Sequence, residues 1–155
     1  MAELRTALSN AGLLEVKTYI QSGNVVAKSR LDQLSIQSLV HKVIAREMGA
    51  DIAVIVRTHN QLKRVMDGNP FPLNAASRAY FSLLAERPAA HFTQELCRLD
   101  FSPDKVSVVH DTVYTLYATK HSDSRYNNNF FERKLKVAAT TRNYNTMSRL
   151  VELSA

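Results

Sequence analysis

"KVSVVHDTVYTLYA", Lys105 to Ala118, is the stretch on which the fold turns. Two runs rich in Val, Tyr and Thr, "KVSVVH" and "VYTLYA", flank the polar pair Asp111-Thr112, which predicts an antiparallel hairpin with its turn at that pair. Upstream, "AYFSLL" (Ala79 to Leu84) reads as a strand, followed by a short helix around Phe92 to Leu99. Downstream, a helix around Tyr126 to Leu135 leads into "VAATT" (Val137 to Thr141), a short strand, and a final helix begins near Asn143. Strand, helix, strand, strand, helix, strand is the split βαβ order of a ferredoxin-like sandwich, in which helices cover one face of an antiparallel sheet.

The first half repeats that order from its second element on. Leu4, Ala7, Leu8 and Ala11 recur at helical spacing, with Gly12 as a stop. "VKTYIQSGNVVA" (Val16 to Ala27) is a hairpin whose turn, Ser22-Gly23-Asn24, has a glycine to take positive φ. Asp32 caps a helix with the stripe Ile36, Leu39, Val40, Val43, Ile44 and Met48, which ends at Gly49. "IAVIV" (Ile52 to Val56) follows as a strand. Thr58 and Gln61 then open a short helix carrying Leu62, Val65 and Met66, closed by Gly68. The two prolines of "NPFP" (Asn69 to Pro72) interrupt regular structure, placing a domain boundary near Asn74. The expectation is an α+β protein of two tandem ferredoxin-like halves. The first, residues 1–74, lacks its opening β-strand; the second, residues 75–155, has an extra C-terminal helix.

Composition narrows the class. With 155 residues, 45% hydrophobic and 22% charged, the chain is an ordinary globular protein, and no apolar run approaches the ~20 residues of a membrane helix. The N-terminal residues lack the pattern of a signal peptide, and the single cysteine, Cys97, forms no intramolecular disulfide. These features predict a cytoplasmic protein with Cys97 as a small buried hydrophobe. The net charge of +6 gathers late: from Lys120 onward there are seven Lys or Arg against three acidic residues. Such an excess suits a solvated basic face or an acidic partner.

Four segments, "TYIQSGNVV" (Thr18 to Val26), "NPF" (Asn69 to Phe71), "FFERKLKV" (Phe130 to Val137) and "ATTRNYNT" (Ala139 to Thr146), resemble in order and spacing a bacterial family catalogued as domain of unknown function 1697. The resemblance spans nearly the whole chain and implies two ferredoxin-like halves in tandem. It implies no activity, since the family has none established. Family members usually open with a short strand and an arginine- and glycine-containing loop before the helix that here begins at Met1. The expectation is therefore that Met1 corresponds to an internal methionine of the relatives, or to a truncation.

Several chemistries have no sequence support. The four glycines are spent on helix stops and a turn, leaving none for a phosphate-binding glycine loop. The five histidines include no pair at i,i+2 or i,i+4, and no serine sits in a G-x-S-x-G elbow. No metal, cofactor or catalytic residue is assigned. The best candidate is "TTRNYNT", Thr140 to Thr146, a helix entry able to hold an anion. There Arg142 would be the anion contact, with Thr140, Thr141, Asn143 and Asn145 as orienting donors. Gln21, Ser22 and Asn24 at the hairpin tip stand second. The leading expectation is a binding module for an anionic small ligand. Its rivals are an enzyme acting on a phosphorylated or nucleotide-like substrate and a weak nucleic-acid binder. The last is poorly served by Tyr114 and Tyr117, which fall on opposite faces of their strand.

Overall fold

The computed structural model describes residues 2–19, 23–72 and 78–155. The described residues form an α+β structure of six α-helices and two antiparallel sheets. In chain order the elements are α1 (Ala2–Asn10), β1 (Leu14–Tyr19), β2 (Asn24–Lys28), α2 (Gln33–Met48) and α3 (His59–Asp67). There follow β3 (Ala79–Leu84), α4 (Ala90–Cys97), β4 (Lys105–Val109), β5 (Thr112–Leu116), α5 (Asn128–Leu135), β6 (Ala139–Asn143) and α6 (Tyr144–Leu153). The chain divides into two compact units, Met1–His59 with Glu152–Ala155, and Asn60–Val151. The boundary expected near Asn74 lies outside the described residues.

In the first unit, α2 starts where the Asp32 carboxylate accepts the Ser35 N–H at 2.7 Å and stops where Gly49 turns left-handed and donates to Ala45 O. Its apolar stripe meets α1 and the β1–β2 sheet in a core of Leu4, Leu8, Leu13 and Val43, flanked by Val16, Val25, Leu39 and Ile44. Gly23, at φ +83°, supplies the turn conformation that the hairpin requires.

The strand expected at Ile52–Val56 is absent. Residues 51–58 form no ladder with any described segment. A β-rich composition favours an extended chain, but a strand also needs a neighbour for its N–H and C=O groups. Here Gln33 Nε2 and an Arg57 guanidinium N–H donate to Val56 O, at 3.1 and 3.0 Å. Side chains thus satisfy the carbonyl that a neighbouring strand would have met.

The second unit has a four-stranded sheet in the order β4-β5-β3-β6, antiparallel throughout. The hairpin predicted by "KVSVVHDTVYTLYA" is present with its turn one residue earlier than expected. Val109 pairs with Thr112, so His110-Asp111 is the loop and His110 takes φ +54°. Strand β6 lies two residues later than "VAATT", because its ladder runs from Leu84–Ala139 to Tyr80–Asn143.

Alternation gives the sheet two covered faces. On one, Leu84, Val113, Val106 and Val108 meet α4 and α5 through Leu96, Phe130, Phe131 and Leu135. On the other, the Phe81 and Tyr114 rings meet edge to face at 5.7 Å, and the Tyr114 hydroxyl donates to Val65 O of α3 at 2.7 Å. Cys97 is exposed, contrary to expectation. Leu96 takes the buried position on α4, and the next residue is turned about 100° around the helix.

Candidate functional site

The 140–146 stretch is a strand end running into a helix, and most of its polar groups hold that junction. Asn143 caps α6, its side-chain oxygen accepting the Thr146 N–H at 2.8 Å. The Thr141 hydroxyl donates to Asn128 Oδ1 at 2.8 Å and lies 2.7 Å from the Ser82 hydroxyl. Asn128 Nδ2 in turn donates to Ala139 O at 3.0 Å. This chain of bonds ties β6 to α5 on one side and to β3 on the other.

Arg142 pairs with Phe81 across the ladder, so Thr140 and Arg142 occupy the sheet face opposite to Thr141 and Asn143. The Arg142 guanidinium donates to Thr141 O at 2.9 Å, and burial lowers its pKa below the usual arginine range. Asn145 is exposed on the first turn of α6. At the other candidate site, Asn24 is buried and its amide donates to Tyr19 O at 3.1 Å, closing the hairpin. Gln21 and Ser22 lie outside the described residues.

The same end of the four-stranded sheet carries a cleft of about 460 Å³, lined by Arg78, Tyr80, Thr119, Lys120, His121 and Ser122. These residues come from two distant segments. Arg78 immediately precedes β3 and Tyr80 is its second residue, while Thr119 and Lys120 follow β5 and lead into a short 3₁₀ turn, His121–Asp123, that carries His121 and Ser122. The ladder joins them: Tyr80 pairs with Thr115 of β5 on one side and with Asn143 of β6 on the other. Past the ladder, the Tyr117 N–H donates to Arg78 O at 3.0 Å and the Arg78 guanidinium to Ala118 O at 2.7 Å.

The His121 ring stacks on Tyr80, with centroids 4.5 Å apart and planes at 14°, and meets Tyr117 edge to face at 5.1 Å. Its Nε2 is closed off from solvent with no hydrogen-bond partner, and burial pushes its pKa down. The imidazole is therefore neutral at pH 7, and the positive charge of the cleft comes from Arg78 and Lys120. Neither forms an ion pair among the described residues, and no carboxylate lines the cleft.

Sequence reasoning missed this site because no local motif marks it. The only hint was Lys120, counted as the start of the C-terminal basic excess. Part of that excess lies over rings instead: Arg125 sits 5.1 Å from the Tyr126 ring centroid, and Arg133 and Lys134 lie 5.5 and 5.9 Å from that of Phe130. Among the described residues, no cluster of three His, Cys, Asp or Glu side chains is placed to hold a metal ion. No described helix is long and apolar enough to cross a membrane.

The architecture defines an α+β protein with a polar, cationic cleft at one end of a four-stranded antiparallel sheet. The chain belongs to the family described as "Protein of unknown function (DUF1697)", whose profile matches residues 1–114. Its fold is similar to that of the conserved bacterial protein SP0830 from Streptococcus pneumoniae, with TM-score 0.78 and 18% identity. That similarity covers 99% of this chain and 88% of the other. No curated protein matches the sequence.

Proposed function

We propose that this protein is a cytoplasmic binding module for an anionic small ligand, built on two ferredoxin-like halves in tandem. The connectivity βαββαβ with strand order β4-β5-β3-β6 supports that description of the second half, and the order α1-β1-β2-α2 supports it for the first. The observation that carries the ligand reading is the cleft, where Arg78 and Lys120 line one concavity without a carboxylate. An anion there gains two charge-assisted contacts and displaces no ion pair.

A second position for the anion is the α6 entry, with Arg142 as its contact and Thr140 and Asn145 beside it. The observation favouring it is the partly desolvated Arg142 guanidinium, two residues before α6 begins at Tyr144. Thr141 and Asn143 contribute there by fixing the backbone.

Melting curves across a phosphate titration, with sodium chloride at matched ionic strength, test both positions. A ligand at about 100 times its dissociation constant adds roughly 2.7 kcal/mol. The expected result is a saturable gain in wild type and Arg142→Ala that is lost in Lys120→Ala. Loss in Arg142→Ala alone moves the anion to the helix entry. No gain in wild type with phosphate or sulfate overturns the anion reading.

A further inference from the structure

Resting on the anion reading, we propose that the cleft takes the phosphate ester of a hydroxylated, non-aromatic compound, a sugar phosphate in class, rather than a nucleotide or a bare oxyanion.

The class of ligand follows from which groups remain available to it. A nucleotide site needs an aromatic face on which a base can stack. The cleft has two rings, Tyr80 and His121, and they are stacked on each other at 4.5 Å. The Tyr80 ring also meets Tyr117 at 77° and 5.1 Å, so two of the protein's own aromatics already contact it. What the wall offers beyond this pair is polar: the Thr119 and Ser122 hydroxyls, the Lys120 ammonium and the Arg78 guanidinium. Thr119, Lys120 and Ser122 are all exposed.

These groups divide by chemistry. The two cations suit a phosphoryl group, and Arg78 is held by its bond to Ala118 O, so its position is set before a ligand arrives. Hydroxyls both donate and accept, which suits the hydroxyls of a sugar and adds little for a bare phosphate. Thr119 and Ser122 bracket Lys120-His121 in sequence, and all four line the cleft. A volume of about 460 Å³ exceeds what an isolated oxyanion fills and lies within the ~300–1,000 Å³ common for small-molecule sites.

Isothermal titration with four probes tests the inference: inorganic phosphate, glucose 6-phosphate, ribose 5-phosphate and adenosine 5′-monophosphate. The proteins are wild type and the double variant Thr119→Val with Ser122→Ala, both at exposed positions, with unchanged melting as the check on folding. In wild type a sugar phosphate binds about tenfold or more tightly than inorganic phosphate. In the double variant that preference disappears while inorganic phosphate binds as before. Adenosine 5′-monophosphate binds no better than ribose 5-phosphate. The inference is overturned if adenine tightens binding by roughly fivefold or more, as stacking would, or if the double variant keeps the preference. Phosphate binding without any preference for esters ends this inference and leaves the anion reading standing; no binding of any probe ends both.

Discussion

Replacing Thr141 by valine keeps its shape and removes one hydroxyl, and the structure makes that hydroxyl the middle of a buried chain. Ser82 Oγ is 2.7 Å from Thr141 Oγ1, which donates onward to Asn128 Oδ1 at 2.8 Å. For both bonds to form, Ser82 must be the donor to Thr141. Ser82 is 0% exposed, so without Thr141 its hydroxyl has neither water nor the partner it had. Leaving a buried polar group unsatisfied costs ~1–3 kcal/mol, and the second bond, to the partly buried Asn128, adds ~1 kcal/mol. The expected loss for Thr141→Val is about 2–4 kcal/mol. Ser82→Ala removes the orphan along with its bond and costs about 1 kcal/mol. The double variant then loses less than the sum, by about 1 kcal/mol of coupling. Urea denaturation of the four proteins, with unchanged m-values, measures this cycle. A Thr141→Val midpoint within about 0.5 kcal/mol of wild type would refute the network and return the Thr141 hydroxyl to the list of ligand donors.

Gly68→Ala places a Cβ 2.9 Å from the Tyr114 hydroxyl and 3.2 Å from Arg64 O, and Tyr114 is pinned by its bond to Val65 O. The expected cost is about 1–3 kcal/mol. It should shrink in a Tyr114→Phe background, and an equal cost in both backgrounds would show that the hydroxyl is not the obstacle. Burial, helped by the Asp111 charge, pushes the Tyr114 pKa from 10.0 to about 12, and burial also raises that of Tyr117. Both side chains stay neutral longer in the folded protein, so the unfolded chain loses its protons first. Stability is full below pH ~10 and falls as pH climbs from ~10 toward ~12. Urea midpoints read alongside tyrosinate absorbance check this, and a flat midpoint across that window would contradict it.

Elements whose residues answer to their immediate neighbours were legible in the sequence. Asp32 caps α2 because a carboxylate three residues before an amide can reach it, and Gly23 turns the hairpin because few other residues accept φ +83°. The β3, β4 and β5 strands followed from β-rich runs, and only the turn moved, since His110 adopts a positive φ that nothing in its surroundings announces. Gly68 shows the limit. It reads as a helix stop, yet its missing Cβ makes room for Tyr114, a residue far along the chain. The residues 52–56 show the same limit from the other side, because extended propensity is local and a ladder partner is not.

The two candidate anion positions differ for the same reason. Thr140 to Thr146 stood out because its polar groups are consecutive, and consecutive polar groups are what a strand-to-helix junction also needs. Asn143 must cap α6, and Thr141 must satisfy Ser82 and Asn128 beneath the sheet. Density along the chain therefore measured structural demand as much as ligand affinity. The cleft has the opposite character. Arg78 and Lys120 are unremarkable where they stand in the sequence, and the β3–β5 ladder places them in one wall. No carboxylate lines that wall and neither cation has an ion-pair partner among the described residues, so an anion seated there would meet two cations without displacing a carboxylate. Two cations lining one wall, rather than the number of hydrogen-bonding groups, are the physical reason to look for the anion in the cleft first.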